Sequence, residues 1–176
     1  MLGLLFTLTA CSDIHLKELP QPTDASNLVL IIHGSGDSAG DWPAALQQSI
    51  DEHPLRAHWD VWTYDWAEEA ESKLSASSSG LQLGELMAQE LLETPYDYQH
   101  LHLIAHSVGG FVIHGLSGVL REESDIGMHS TYLDPFTGNG VLDWSYGERH
   151  FGRHEDFAEA YYNLDDPVPS TNGAVS

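Results

Sequence analysis

The sequence predicts an α/β fold: one mostly parallel sheet with helices on both faces. Two observations carry this expectation. Short apolar runs rich in branched residues alternate along the chain with segments of helical spacing. The clearest of these runs is apolar at every position rather than at every second one, as a strand buried on both faces of a parallel sheet must be. The length of 176 residues suits a single domain, and a hydrophobic share of 41% is enough for a packed core.

The elements follow in order. Leu28–Ile32 (LVLII) is the first strand, and it stops at the glycine-rich turn His33-Gly34-Ser35-Gly36. Trp42-Pro43 opens a helix, with proline acceptable in its first turn and Ala44, Ala45, Leu46 and Ile50 available for an apolar side. His58–Tyr64 is a second strand, in which Trp59, Val61 and Thr63 alternate with their neighbours. Ser75–Gly80 reads as a loop. Leu83, Leu86, Met87 and Leu91 then fall at helical spacing, so Leu81–Glu93 is a helix, with Pro95 beyond its end. Leu101–Ala105 is the third strand and runs directly into Ser107. Val108–Leu120 is a helix that is apolar nearly all round and therefore buried. Ser130–Leu133 is a further strand ending at Asp134-Pro135, and Ala160–Leu164 is the last. No internal repeat is present.

The junction at Ser107 carries the chemistry. In a parallel α/β sheet ligands bind at the carboxyl ends of the strands. A serine placed there between strand and helix projects its hydroxyl out of the sheet if the turn is sharp and its flanking residues are small. The general pattern is G-x-S-x-G; here it is Ala105-His106-Ser107-Val108-Gly109, followed by Gly110. The helix behind it directs its positive dipole end at a developing oxyanion, and the Val108 amide is one donor.

Four segments together resemble one family. Leu28–Trp42 (LVLIIHGSGDSAGDW) resembles the first strand and oxyanion loop of α/β-hydrolase lipases of the pancreatic-lipase type. Val61–Trp66 (VWTYDW) resembles their next strand, Leu101–Gly110 (LHLIAHSVGG) their nucleophile strand and elbow, and Tyr132–Pro135 (YLDP) their Leu-Asp-Pro. The resemblance spans roughly residues 28 to 136, and its strength lies in order and spacing together. It implies an α/β-hydrolase fold, Ser107 as nucleophile, Asp134 as the triad acid, and the backbone amides of Ser35 and Val108 as the oxyanion hole.

A serine needs a base, and in this fold the order is Ser, then acid, then His. After Asp134 the chain holds His150 and His154. Either one folds back to serve, or the base lies beyond Ser176, in which case the fold is C-terminally incomplete. His106 points elsewhere on the turn, and His33 reads as structural. A second candidate acid is Asp165 or Asp166, since Asp166-Pro167-Val168-Pro169 follows the last expected strand, where many such enzymes place theirs. No cofactor is implied. No metal site is expected either, since the 11 histidines do not pair with carboxylates on a recognisable helix face.

Charge and the N-terminus bound the partners. Twenty-seven acidic residues against 6 basic ones give a net charge of −21, which repels nucleic-acid phosphates and anionic membrane surfaces. The acid excess reads as a solvated coat. Met1–Ala10 is a short apolar run, too short to span a bilayer, and reads as part of a signal peptide. Leu8-Thr9-Ala10-Cys11 resembles a bacterial lipobox, which implies lipidation of Cys11, although no Lys or Arg precedes the run. The domain plan is therefore a leader over 1–11, a polar linker over 12–26 containing Pro20 and Pro22, and one catalytic domain over 27–176. The expected protein is an exported ester hydrolase, in the cell envelope or secreted, acting on a small-molecule or lipid ester. An inactive binding protein that keeps the fold and a serine peptidase or amidase are the competing readings.

Overall fold

The structure is a computed structural model that describes residues 14–72, 75–93, 96–140, 142–163 and 165. Cys11, Leu164 and Asp166 lie outside these residues. Five strands, β1 (Asn27–Ile32), β2 (Trp59–Tyr64), β3 (His100–His106), β4 (Gly127–Leu133) and β5 (Phe157–Tyr161), form one sheet in the order β2-β1-β3-β4-β5, all parallel. The helices are α1 (Trp42–Asp51), the single turn α2 (Ala67–Ala70), α3 (Ala76–Glu93), α4 (Gly110–Glu123) and the short α5 (Tyr146–His150).

The apolar β1 run is explained by its two faces. Leu28, Leu30 and Ile32 point into the main core with residues of α3 and α4. Val29 and Ile31 point to the other side, where Val61 and Ile104 meet Trp42, Leu46 and Ile50 of α1. The α/β architecture read from the sequence is therefore present. After β2 the chain crosses back over β1 to form β3, so the connections leaving the carboxyl ends of the paired strands β1 and β3 turn to opposite faces of the sheet, α1 to one and α4 to the other, the kind of position at which such sheets bind ligands.

Several boundaries differ from expectation, and three of them have a clear physical cause. Ser75–Gly80 is not a loop, because α3 begins at Ala76 and Ser77, Ser79 and Gly80 are buried. Small residues are needed at this end: a Cβ on Gly80 would lie 3.1 Å from the Cβ of Phe111 and 3.3 Å from the Trp66 ring. The Ser77 hydroxyl also donates to the Gly138 carbonyl at 2.8 Å. Tertiary packing here outweighs the poor helix propensity of a Ser/Gly stretch. The fourth strand begins earlier, at Gly127, which pairs with His100. The last strand is Phe157–Tyr161 rather than Ala160–Leu164, because Asp156 locks its start. The Asp156 amide donates to the Met128 carbonyl and its carboxylate accepts the Met128 amide, both at 2.8 Å.

Residues 14–26 carry no helix or strand, yet they are docked on the domain. Leu19 is buried in the main core with Ile14 and Leu16 against it. Thr23 donates through both its amide and its hydroxyl to the buried carboxylate of Asp60, at 3.0 and 2.7 Å. Among the described residues no helix is long and apolar enough to cross a membrane.

Candidate active site

Ser107 follows β3 directly and starts a 3-10 turn, Ser107–Gly109, that leads into α4. Its φ is +52°, left-handed backbone in which a residue with a Cβ is disfavoured. Asp134, directly after β4, has φ +45°, and these two are the only non-glycine residues of positive φ among those described. Both therefore occupy strained positions at the carboxyl ends of neighbouring strands.

The small residues around Ser107 have a steric cause. A Cβ on Gly109 would lie 2.6 Å from the His33 carbonyl oxygen, and one on Gly110 would lie 3.0 Å from the Phe151 ring. A Cβ on Gly34 would lie 2.9 Å from Nδ1 of His106 and 3.0 Å from the Cβ of Ser107. The loop after β1 thus runs against the serine turn, which brings the Ser35 segment beside Ser107 and the Val108 segment. Ser107 is half-buried, Val108 buried and Ser35 exposed.

His33 anchors this loop. It is fully buried; the Trp66 amide donates to its Nε2 at 3.2 Å and the Trp66 indole donates to its carbonyl at 2.8 Å. Its Nδ1 donates to the Gly34 carbonyl at 2.8 Å, so the network assigns the proton to Nδ1. The Asp-Trp sequence after β2 is thereby explained: Trp66 is the support for the loop. His106 turns to Asp37, with Nδ1 to Oδ2 at 3.2 Å, and packs edge-on against Trp42. Asp37 does not stand out in the sequence, where it is one more acid in a glycine-rich loop.

Asp134 is bound into the β4–β5 end. Its amide donates to the Tyr161 carbonyl at 2.7 Å and its Oδ1 accepts the Asn163 amide at 3.1 Å. Among the described residues no hydrogen bond reaches its second carboxylate oxygen. Asp165 is exposed after β5, its amide donating to the Asn163 side chain. The two late histidines group elsewhere. His150 and His154 lie around the buried His114 of α4, with ring centroids 6.2 and 5.0 Å from it, and His150 stacks on Tyr146. Burial, then His154 and His150, lowers the His114 imidazole to about 4. Among the described residues no histidine hydrogen-bonds the Ser107 or Asp134 side chain.

The structure also gathers three residues that the sequence left apart. His102, His129 and Glu159, from three successive strands, bring donor atoms within 4.8 Å of one another. Spacing along one helix could not reveal them, because the strands assemble the group.

The alpha/beta hydrolase family matches residues 29–172 of the chain. No curated protein matches it in sequence. Among solved structures it is similar to YbtT, a type II thioesterase from the yersiniabactin NRPS/PKS biosynthetic pathway, with 20% identity, 65% of this chain and 45% of that chain covered, and a TM-score of 0.41. A serine-to-alanine mutant of the same thioesterase gives 17% identity, coverage of 68% and 46%, and a TM-score of 0.42. The chain spans less than half the length of these structures.

Proposed function

The chain belongs to the alpha/beta hydrolase family, and on that premise we propose that it is a carboxylic ester hydrolase of lipase or esterase type with Ser107 as nucleophile. The observation that carries the reading is the left-handed backbone of Ser107 at the end of β3, pressed against the Gly34 loop. That geometry favours a hydroxyl presented at the strand ends beside two backbone segments able to donate.

In the proposed reaction the Ser107 oxygen attacks the ester carbonyl carbon and passes its proton to a histidine base. The Ser35 and Val108 amides stabilise the oxyanion, and losing one such donor typically costs about 10²–10³ in rate. The ester C–O bond breaks, the alcohol leaves with the proton, and water hydrolyses the acyl-enzyme by the same steps. Asp134 is the proposed acid, with one carboxylate oxygen held by the Asn163 amide. His150, His154 or a histidine beyond Ser176 supplies that base. The choice between a working serine hydrolase and an inactive binding protein is decided by one comparison. A fluorophosphonate probe should label the wild-type chain and not Ser107→Ala, and p-nitrophenyl ester turnover should vanish in the same variant. Absence of labelling in the wild type would favour the inactive scaffold. Turnover that survives in Ser107→Ala would remove Ser107 from the mechanism.

We also propose that the protein is exported, secreted or held at the envelope through a lipidated Cys11, a reading supported by the lipobox-like residues 8–11. Radiolabelled palmitate should enter the wild type and not Cys11→Ser; equal labelling rejects the anchor.

A further inference from the structure

We propose that His102, His129 and Glu159 form a binding site for one divalent transition-metal ion on the face of the sheet that carries α1. The site is independent of the ester chemistry. His102 lies five residues before Ser107, about 16 Å along an extended strand at ~3.3 Å per residue.

The sheet itself builds the group. His102 of β3 pairs directly with His129 of β4, and Glu159 of β5 lies two residues past Phe157, the partner of His129. Even-numbered positions of β3 and odd-numbered positions of β4 and β5 share one face, so all three side chains rise together. Their donor atoms lie within 4.8 Å of one another. A tetrahedral ion with ligands at about 2.0–2.2 Å holds its donors roughly 3.3 Å apart, so closure draws the donor atoms together by up to about 1.5 Å.

One nitrogen of the group is poorly satisfied. Nε2 of His129 is buried without a hydrogen-bond partner, at 3.4 Å from Oε1 of Glu159. A buried polar atom held only by so long a contact to a carboxylate is costly in either protonation state, and an ion between the two groups would relieve that cost. The neighbouring groups supply support for the carboxylate: the Thr131 hydroxyl donates to Oε1 of Glu159 at 2.9 Å and the Tyr161 hydroxyl donates to Oε2 at 3.2 Å. His102 Nε2 donates to the Thr131 hydroxyl at 2.9 Å. Ligation moves that proton to Nδ1 of His102 and frees Nε2. The two imidazoles stack at 4.1 Å, 7° from parallel. An ion lies in the plane of each ligand ring, so binding makes the rings fan apart about their Cβ–Cγ bonds.

Two imidazoles and one carboxylate select borderline ions such as Zn²⁺, Co²⁺ or Ni²⁺ over Mg²⁺ and Ca²⁺. The site is reachable from solvent, since the His129 and Glu159 side chains are 36% and 33% exposed. A cleft of about 970 Å³ at the amino ends of the strands includes His102 and His129 in its lining. The net charge of −21 draws cations toward it. Three protein ligands leave a position for water. A bound ion would clamp the edge strand β5 to β4 and β3.

The test uses the metal-stripped full chain titrated with Co²⁺ and Zn²⁺. Co²⁺ should bind one per chain with the visible absorption of a four-coordinate ion, and Zn²⁺ should displace it and raise the Tm. Losing an outer partner typically costs 10–100-fold in affinity, so His129→Ala and Glu159→Gln should each weaken binding by at least about 100-fold, and Thr131→Val by about 10–100-fold. Glu159→Gln decides the matter should His129→Ala fail to fold, since residue 159 lies on the edge strand. No Co²⁺ absorption in the wild type overturns the proposal. So does equal affinity in wild type and Glu159→Gln, which would place the ion on other histidines.

Discussion

Ser107 and Asp134 share a property that composition does not express: each holds a left-handed backbone. Such positions cost of order 1–3 kcal/mol and persist where the surrounding structure over-determines them. Around Ser107 the determinant is close backbone approach, with Gly34 and Gly109 leaving no room for a methyl group. Gly34→Ala should therefore push the Ser35 loop away from the serine turn. The expected result is a fall of about 10²-fold in kcat/KM for a p-nitrophenyl ester, the size of losing one oxyanion donor. Unchanged kinetics would show that the Ser35 amide is not part of the hole. Asp134→Asn should lower kcat by about 10⁴-fold if it orients the base, by the precedent of triad acids. If Asp165→Asn or Asp166→Asn gives the loss and Asp134→Asn does not, the acid follows β5.

The elements meet through glycines as much as through large side chains. On α3, a Cβ at Gly84 would lie 2.0 Å from the Val112 carbonyl oxygen and 2.7 Å from the Leu116 amide. On α4, a Cβ at Gly115 would lie 2.3 Å from the Leu81 carbonyl oxygen. The two helices thus pack backbone to backbone. Replacing a mid-helix glycine by alanine gains up to about 1 kcal/mol of helix propensity. Overpacking against rigid backbone costs about 1–3 kcal/mol or more, and at 2.0 Å it dominates. Gly84→Ala and Gly115→Ala should each lower the urea midpoint, whereas a gain in stability would mean that α3 and α4 stand further apart. The helix α4 is enclosed along most of its length, with Phe111, Val112, Ile113 and Leu116 fully buried, so a shift there would also move Ser107.

At the scale of the whole molecule, one buried acid ties the N-terminal segment to the sheet. Asp60 of β2 is 2% exposed and accepts hydrogen bonds from the Thr23 amide, the Thr23 hydroxyl and Tyr98, the last at 2.6 Å. Desolvation raises its pKa, but the hydrogen bonds from Thr23 and Tyr98 and the charge of Arg56 outweigh that and leave it below the ordinary 3.8. The folded protein therefore binds this proton more weakly than the unfolded chain. The resulting stability is present above the unfolded pKa and is lost as pH falls through the folded one. Asp60→Asn should lower stability at neutral pH by about 1–3 kcal/mol, the cost of disturbing hydrogen bonds to a buried charge. It should also flatten the fall of Tm between about pH 5 and 2. An acid limb identical to that of the wild type would remove Asp60 as its source.

The order of strands and helices, the buried character of β1 and α4, and the serine turn are all legible in the sequence, because each rests on residues adjacent in the chain. Apolar runs set which segments are buried, and a small-x-Ser-x-Gly turn must stand where a strand meets a helix. Residues 75–80 read as a loop for the opposite reason: Ser77 and Gly80 are poor helix formers, and the contacts with Gly138, Phe111 and Trp66 that override this come from distant parts of the chain. The same holds for Asp37 beside His106, for Thr23 on Asp60, and for His150 and His154, which gather on His114. It holds most of all for His102, His129 and Glu159, separated by 27 and 30 positions in the sequence and joined because parallel strands place side chains of like parity on one face. Local pattern is enough to locate the serine. Its surroundings depend on which strands lie side by side, and that is set by packing across the whole sheet.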